Sequence, residues 1–346
     1  MPSLQRRLDA FLKNRAPQVE RFKAPLSDRV AMVRRYGDFS LAYSTAVQPG
    51  LHYFGDAAGY VAYGSKMHHN FALGDPVADP SDRPAYIRRF VETAGSPAFV
   101  QIGDATANVL AELGYRINRL GVDTHLSLPD YDFSGKSKET LRYSERWLAK
   151  RGYDFAEVDA EALSLDEITR LSENWRASRI VNRWEMAFLN RPFSPLLGPS
   201  MRRFVLRNND GNLIALLDFD PLFRDEKVIG YTTAFKRKRV GASSHAEIGL
   251  TKYAIDKFRK EDISVVTLGL SPLLDVGPSG HRESRFWRSA FQAAFRSAWV
   301  NQRRFNLQGQ AAFKRRFHGT EHPTYIAVRK GSALEMLNLL RLMKAL

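Results

Sequence analysis

The sequence has 346 residues but lacks cysteine altogether, and it contains no long apolar run. Without cysteine there is no disulfide, no thiolate nucleophile and no zinc or iron–sulfur site built on thiolates. A membrane-spanning helix needs about 20 consecutive apolar residues, and the N-terminus lacks even the shorter apolar run of a signal peptide. These absences predict a cytoplasmic protein that is soluble or, at most, peripheral on the inner face of the cell membrane.

Common catalytic and metal-binding motifs are missing as well. The chain has no His-Glu-x-x-His, no P-loop and no Gly-x-Ser-x-Gly sequence, so none of the mechanisms that depend on those motifs is indicated. The neighbouring His68 and His69 would point to opposite faces of a strand. A metal ion shared by this pair is therefore not expected.

Positive charge, by contrast, is in excess. Lys and Arg number 52 against 37 Asp and Glu, which gives a net charge of +15 and a pI near 10.0. A basic surface attracts polyanions, and the two obvious classes are nucleic acid and anionic lipid headgroups. Charge alone does not choose between them, and a generally basic, soluble surface is the plain alternative.

Strand and helix patterns follow the same order in the two halves of the chain. The first half reads as strand 59–63, strand or hairpin to 76, loop 77–84, a helix around Ile87, strand 98–102 and helix 105–113. The second half reads as strands 213–219 and 228–235, loop 236–244, helix 245–260, strand 263–270 and helix 284–300. This order predicts an α/β fold of tandem acetyltransferase-like (GNAT) domains, each a mixed sheet flanked by helices.

A turn-rich segment at 130–136 leads into a predicted helix at 138–151 and marks the boundary between the halves. We place that boundary near residue 145, which gives an N-terminal domain at 1–145 and a C-terminal catalytic domain at 146–346. The last segment, 332–346, is apolar around most of its helical circumference. It is predicted to be a terminal amphipathic helix, either docked on the core or lying on a membrane surface.

The most informative local pattern is the basic loop Lys236-Arg-Lys-Arg-Val-Gly-Ala-Ser-Ser244 between a predicted strand and a predicted helix. Backbone N–H groups at a helix N-terminus, flanked by cations, favour anion binding. Lys238, Gly241 and Ser243 loosely match the loop that holds the coenzyme A pyrophosphate in acetyltransferases. A solvated basic turn is the alternative. Glu247 follows in the first helical turn, where an acid is favoured by the helix dipole alone and could also hold an ammonium group.

Two further patterns leave their alternatives open. In the basic aromatic segment at 303–319, Phe313 and Phe317 lie one helical turn apart, so they can pack inward while Lys314 stays polar. Spacing alone favours the alternative, a solvated basic helix face. Asp218 and Asp220 share one face of a predicted strand. They are interpreted either as a pair of general bases or an amine-binding site, or as polar residues at a strand end.

Several segments together resemble one known family. Leu268-Gly-Leu-Ser-Pro-Leu273 is similar to its Leu-Gly-Met-Ala-Pro-Leu strand end, and 305–317 with Pro323-Thr-Tyr325 is similar to its Tyr-Asn-Phe-x-Gly-Leu-x-x-Phe-Lys-x-Lys-Phe…Pro-x-Tyr signature. Gly74-Asp75-Pro76 and Phe133-Ser-Gly-Lys…Leu141-Arg142 add matches in the first half. The family is the catalytic domain of aminoacyl-phosphatidylglycerol synthases, such as lysyl-phosphatidylglycerol synthase, and the resemblance runs from about residue 55 to 330.

The resemblance implies a tandem acetyltransferase-like fold that moves an aminoacyl group from charged tRNA to a lipid hydroxyl. It implies no metal and no organic cofactor. Its partners would be aminoacyl-tRNA, an anionic phospholipid such as phosphatidylglycerol at the membrane surface and, as a candidate, a separate membrane flippase.

On this interpretation the ester donor is already activated, so the enzyme mainly positions the acceptor and stabilises the oxyanion. We predict Lys314 as a cation near the reacting ester or the lipid phosphate, Asn306 as an oxyanion donor and Arg316 as a phosphate ligand. Glu247 would hold the substrate amine, and Arg142 follows from the family pattern alone. The tRNA end would be bound by Lys236, Arg237, Lys238, Arg239, Gly241, Ser243 and Ser244.

The sequence departs from the family pattern at two places. The family's Asp-Leu-Met-Arg corresponds to Thr233-Ala-Phe-Lys236 here, and its His-Gly-Glu corresponds to Asn301-Gln-Arg303. Both changes alter charge near the predicted site, so the donor amino acid and the acceptor stay open. Two alternatives also stay open: an acetyl-coenzyme A-dependent N-acyltransferase, and a non-catalytic RNA- or membrane-binding module.

Overall fold

The computed structural model describes residues 17–159, 163–177, 187–303 and 305–345. Its strands are β1 His52–Asp56, β2 Gly59–Lys66, β3 His69–Leu73, β4 Ala98–Ile102, β5 Arg116–Ser127, β6 Asp154–Val158, β7 Arg202–Arg207, β8 Leu213–Arg224, β9 Lys227–Lys238, β10 Val265–Pro272 and β11 Thr320–Val328. Its α-helices are α1 Leu26–Tyr36, α2 Ala42–Val47, α3 Arg83–Thr93, α4 Asp104–Glu112, α5 Glu139–Ala149, α6 Leu165–Ala177, α7 His245–Lys260, α8 Arg285–Arg296, α9 Ala298–Arg303, α10 Leu307–Arg315 and α11 Ala333–Leu342.

All eleven strands belong to one sheet, in the order β1-β2-β3-β4-β11-β5-β10-β9-β8-β7-β6. Only the pairs β3–β4 and β9–β10 are parallel, and each is connected through a helix, α3 and α7 respectively. Two units of the same element order, β1–β4 with α3 (the first unit) and β6–β10 with α7 (the second unit), therefore lie in one sheet. The predicted α/β fold of tandem acetyltransferase-like domains is confirmed.

The two units are joined because strands cross between them. β11 comes from the end of the chain but lies between β4 and β5, antiparallel to both. β5 in turn pairs with β10 of the second unit. The sheet is consequently continuous across residue 145, and the division into separable domains at that residue stays a prediction.

Buried aromatic side chains hold the helices to the second unit. Phe204 on β7 and Phe219 on β8 both pack edge-on against Phe258 of α7, with ring centroids 5.4 and 4.9 Å apart. Eleven of the twelve residues of β8 are buried, as expected for a strand covered on both faces. This packing fixes α7, and with it the basic loop, against the sheet.

One predicted helix is two helices in the structure. The segment 284–300 divides into α8 and α9, because Ser297 between them has an extended backbone (φ −66°, ψ 116°). Its hydroxyl accepts a hydrogen bond from the Val300 N–H at 3.3 Å. Apolar periodicity continues through such a break, so the sequence pattern did not reveal it.

The terminal helix α11 is docked on the sheet. It begins with a capping box between Ser332 and Glu335, and its Leu339 is buried in a cluster that includes Phe71 of β3. Leu334 and Leu337 on its other side are exposed. Among the described residues, no helix combines the length and the apolar character that crossing a bilayer requires.

Candidate active site

The sheet opens at its centre, between β9 and β10. Their parallel pairing runs from Gly230–Val265 to Thr232–Thr267 and ends there. β10 then bulges against β5, where Gly269 takes a positive φ of 73° that disfavours residues with side chains. In open α/β sheets, ligands bind where the carboxyl ends of neighbouring strands diverge. We call this opening the central gap.

Lys314 lies at the central gap. Its Nζ donates hydrogen bonds to the carbonyl oxygens of Gly269 at 2.8 Å and Leu270 at 2.6 Å. Burial lowers the pKa of Lys314 from its usual 10.5 to about 7, against the attraction of Asp123 and with the help of the like charge on Lys236. An amine with this pKa exchanges its proton near neutral pH, as general acid–base chemistry requires.

Lys236 and Glu247 line the same region. The Lys236 ammonium lies 3.6 Å from the centroid of the Phe313 ring on α10 and 4.0 Å from the Glu247 carboxylate. Burial lowers the pKa of Lys236, while Glu247 opposes that shift. Three of the predicted residues, Lys236, Glu247 and Lys314, are thus brought to one place by three different elements.

A carboxylate that we did not predict stands across β10 from this group. Asp123 of β5 is the Cα partner of Leu270, whose carbonyl holds Lys314. Its Oδ2 accepts a short hydrogen bond from Ser40 and lies 3.7 Å from Nε2 of His125. The one signal in the sequence was that Asp123 is the single acid of a mixed polar and apolar strand, and that pattern does not distinguish a functional carboxylate from a structural one.

The basic loop divides between two faces of the sheet. Arg237 is buried, and its guanidinium stacks 4.0 Å from the Trp175 ring centroid on the face opposite Lys236, because neighbours in a strand alternate. Lys238 is half-buried and Arg239 is exposed. Lys238 and Arg239 are therefore accessible enough to contact a polyanion such as RNA, whereas Arg237 packs inside the protein.

The small residues of the loop shape its turn. Gly241 has a φ of +78°, and the Ser243 hydroxyl accepts a hydrogen bond from the His245 N–H at 3.2 Å. Ser244 is the N-cap residue of α7 but makes no capping hydrogen bond through its side chain. The predicted anion-binding role of Gly241, Ser243 and Ser244 stays a prediction.

Of three other predicted residues, two make structural contacts and one is exposed. Asn306 is the N-cap of α10, where its Oδ1 accepts a hydrogen bond from the Gly309 N–H at 3.0 Å. Arg316 is exposed at the end of the same helix. Arg142 on α5 donates to the carbonyl oxygens of Phe133 and Gly135, the latter at 2.8 Å. Through these contacts Asn306 caps a helix and Arg142 holds a loop. Their catalytic and binding roles stay predictions.

The two acid candidates on β8 are resolved as ion pairs. Both oxygens of Asp218 accept hydrogen bonds from the Arg203 guanidinium at 2.7 Å, and Asp220 is paired with Arg191. All four side chains are buried. Each carboxylate is thereby compensated by a guanidinium, as burial of a charge demands, and neither is left over as a base.

The fold and the central gap define the class: a protein with the acetyltransferase-like fold and with its opening in the second unit. The family model described as "Phosphatidylglycerol lysyltransferase, C-terminal" matches residues 30–328, and the chain belongs to this family. A phosphatidylglycerol lysyltransferase of Bacillus subtilis is 22% identical over 289 residues, which are 81% of this chain and 32% of that protein. The chain spans about a third of the length of the curated relatives it matches.

Two solved structures share the fold. The L-PGS of Bacillus licheniformis superposes with a TM-score of 0.78 at 19% identity, covering 94% of this chain and 98% of that one. The C-terminal domain of a lysylphosphatidylglycerol synthetase from Agrobacterium fabrum gives a TM-score of 0.77 at 23% identity, covering 93% and 98% respectively. At these identities the agreement shows the fold.

Proposed function

We propose that this protein is an aminoacyltransferase that moves an amino acid from aminoacyl-tRNA to a hydroxyl of a membrane phospholipid, with phosphatidylglycerol as the favoured acceptor. The observation that carries the proposal is the Lys314 amine, held by two carbonyl oxygens at the central gap with its pKa near 7. Membership of the phosphatidylglycerol lysyltransferase family supports the choice of donor and acceptor.

Lys314 has the geometry of a proton carrier. A neutral amine has two N–H groups and one lone pair, and both N–H groups are used by the carbonyls of Gly269 and Leu270. The lone pair therefore points away from both carbonyls, toward the remaining space of the gap. From there it can accept the proton of an acceptor hydroxyl.

The reaction exchanges one ester for another. As Lys314 takes the hydroxyl proton, the acceptor oxygen attacks the aminoacyl carbonyl carbon and a tetrahedral oxyanion forms. The bond to the ribose oxygen of the tRNA then breaks, and the departing oxygen receives the proton from the Lys314 ammonium. No proton is gained or lost overall, so the enzyme supplies position and charge rather than a co-reactant.

The charge distribution supports two anionic substrates. Exposed Arg239 and half-buried Lys238 lie beside the N-terminus of α7, where cations and helix N–H groups together suit the phosphates of an RNA end. The net charge of +15 also favours residence at an anionic bilayer surface, which would place the protein peripherally on the inner face of the membrane.

The test is transfer of radiolabelled lysine from charged tRNA into vesicles containing phosphatidylglycerol. The Lys314→Met variant should lose about 100-fold or more of the rate, because it removes the proton carrier. Lys227→Met, at an exposed lysine that begins β9, is the matched control and should keep wild-type activity. Equal rates for wild type and Lys314→Met would reject the proposed role of Lys314.

Substitution of Lys314 should separate activity from stability. A buried amine whose pKa is lowered destabilises the fold at neutral pH, so Lys314→Met should unfold at a temperature no lower than wild type.

Calorimetric titration with coenzyme A tests the rival function, an acetyl-coenzyme A-dependent N-acyltransferase. Tight binding of coenzyme A, with no transfer from charged tRNA, would favour that rival.

A further inference from the structure

Asp123 carries one carboxylate oxygen for which the described residues provide no partner. The residue is only 5% exposed, and its Oδ1 makes no hydrogen bond within the described part of the chain. A carboxylate has about four lone-pair sites, and a buried carboxylate oxygen left without a donor destabilises the fold. A donor from outside the protein chain would complete this site.

The other buried carboxylates of the sheet differ from Asp123 in this respect. Asp218 and Asp220 are each paired with an arginine. Asp75, in the first unit, accepts hydrogen bonds from the Gly103 N–H at 3.1 and 3.3 Å. Asp123 has a hydroxyl, that of Ser40, at its Oδ2 and a histidine 3.7 Å away. Of the four residues, Asp123 is the one with a carboxylate oxygen, Oδ1, that is buried without a partner in the described part of the chain.

The surroundings of Asp123 suit a ligand that donates hydrogen bonds. The Ser40 hydroxyl lies 3.0 Å from that of Thr267, which in turn donates to Thr232 at 2.7 Å, so a row of hydroxyls leads from the last β9–β10 pair to the carboxylate.

Asp123 lies between a pair of partly exposed histidines and Lys314. His125, next to it on the same face of β5, is one-third exposed, and its ring centroid lies 4.5 Å from that of exposed His322, with the two ring planes tilted by 49°. On the other side, the charge of Asp123 attracts Lys314. A cation bound at Asp123 would thus lie between the histidine pair and the proposed proton carrier.

We propose that Asp123 binds the free α-ammonium of the aminoacyl donor. This inference rests on the proposed function. In an aminoacyl ester the α-nitrogen is two bonds from the carbonyl carbon, so an ammonium held at Asp123 Oδ1 sets that carbon near the central gap. The ε-ammonium of a lysyl ester is six bonds from the same carbon, four more than the α-nitrogen. Asp123 therefore selects donors with an unblocked α-amine, whatever their side chain.

The first measurement needs only the wild-type protein. Transfer to phosphatidylglycerol vesicles is compared for lysyl-tRNA, Nα-acetyl-lysyl-tRNA and Nε-acetyl-lysyl-tRNA. We expect the Nα-acetyl donor to react about 10- to 100-fold more slowly, the range of a lost charge-assisted hydrogen bond, and the Nε-acetyl donor to react nearly as fast as the free one. Equal rates with the Nα-acetyl donor, or a penalty confined to the Nε-acetyl donor, would overturn the assignment.

The second measurement locates the effect. Asp123→Asn should transfer lysine more slowly and lose the discrimination against the Nα-acetyl donor. Asp75→Asn is the matched control: the same change at the buried carboxylate of the first unit should leave the discrimination ratio unchanged. Ser40→Ala keeps the carboxylate and should reduce the ratio only in part. An unchanged ratio in Asp123→Asn would contradict the proposal.

A binding assay separates this inference from the proposed function. A 3′-aminoacylamino-adenosine has an amide in place of the ester and cannot react, so its binding needs no turnover. Wild-type protein should be stabilised against heat by the free-amine compound and not by its Nα-acetyl form, and Asp123→Asn should not distinguish them. Selective binding without any transfer would defeat the proposed function alone, and transfer without selectivity would defeat the inference alone.

Discussion

The two parallel strand pairs of the sheet behave differently where they end. In the first unit, β3 and β4 pair as far as Leu73–Val100, and the next N–H, that of Gly74, still donates to the Val100 carbonyl at 2.9 Å. In the second unit, β9 and β10 part after Thr232–Thr267, and Lys314 occupies the opening. The two units have the same element order, but the parallel strand pair stays closed at its end in the first unit and opens in the second.

Side-chain chemistry follows this difference. The first unit places Asp75 after its strand, tied to the start of α4 through the Gly103 N–H, and burial raises the pKa of Asp75. In the second unit, two cations stand at the end of the strand: Lys238 is the last residue of β9 and Arg239 follows it. The first unit thus ends its parallel strand pair closed, beside a carboxylate, whereas the second leaves its pair open and ends the strand with cations.

The largest expected effect concerns the strand that joins the units. A chain ending at Gly319 lacks β11, so β4 and β5 lose their common neighbour in the middle of the sheet. We expect this truncation to remove about 5 kcal/mol or more, essentially the whole stability of a typical domain. A chain ending at Gly331 keeps β11 and loses only α11. If thermal unfolding were equally cooperative for both truncations, the joined sheet would not be the stabilising feature.

Transfer activity should rise with pH through about 7, because Lys314 accepts a proton only when neutral. Below that pH the rate should fall about tenfold per pH unit, after subtraction of spontaneous ester hydrolysis. The titratable groups facing Lys314 are Asp123 and Lys236, with His125 and His322 beyond Asp123. The fall in rate below pH 7 should therefore persist in His322→Gln. A rate that does not change with pH in the wild-type protein would contradict proton transfer through Lys314.

The same lowered pKa has a signature in stability. Between about pH 7 and 10.5 the unfolded Lys314 binds a proton that the folded one does not, so wild-type stability should rise with pH across this window. Lys314→Met should lack that component. Chemical unfolding of both proteins at several pH values measures the difference.

A smaller effect is expected in the closed unit. Asp75→Ala leaves the Gly103 N–H without its acceptor, which should cost about 1–3 kcal/mol of unfolding free energy. Transfer activity per folded molecule should stay within about twofold of wild type, since small effects are usual for distant, independent sites. A large loss of activity at full stability would show that the first unit also takes part in the reaction.

The smallest effect concerns the exposed cation after β9. Arg239→Ala should weaken tRNA binding several-fold and lower the slope of log affinity against log salt by about 0.7–0.9, with little change in stability. Arg237→Ala is the contrasting variant: its guanidinium stacks on Trp175, so its substitution should mainly destabilise the fold. Filter binding at three salt concentrations and thermal unfolding distinguish the two patterns.

Much of the second unit followed from the sequence. The predicted helix at 245–260 has the bounds of α7, and the basic loop lies between strand and helix as expected. Local periodicity and turn residues determine such elements, because they act within a few residues. Lys314 and Glu247 were named from family resemblance and helix position, and the structure brings both to the central gap with Lys236.

The sequence by itself determined the fold class, the excess of positive charge and the basic loop, since these depend on composition and on local periodicity. Only the tertiary structure decided that β11 inserts between β4 and β5, and that Asp123 and Ser40, 83 residues apart, meet at the gap. Pairing between distant strands leaves no local pattern, because its free energy comes from contacts formed after the chain has folded back on itself. The same tertiary placement decided that Arg237 is buried while Arg239 is exposed.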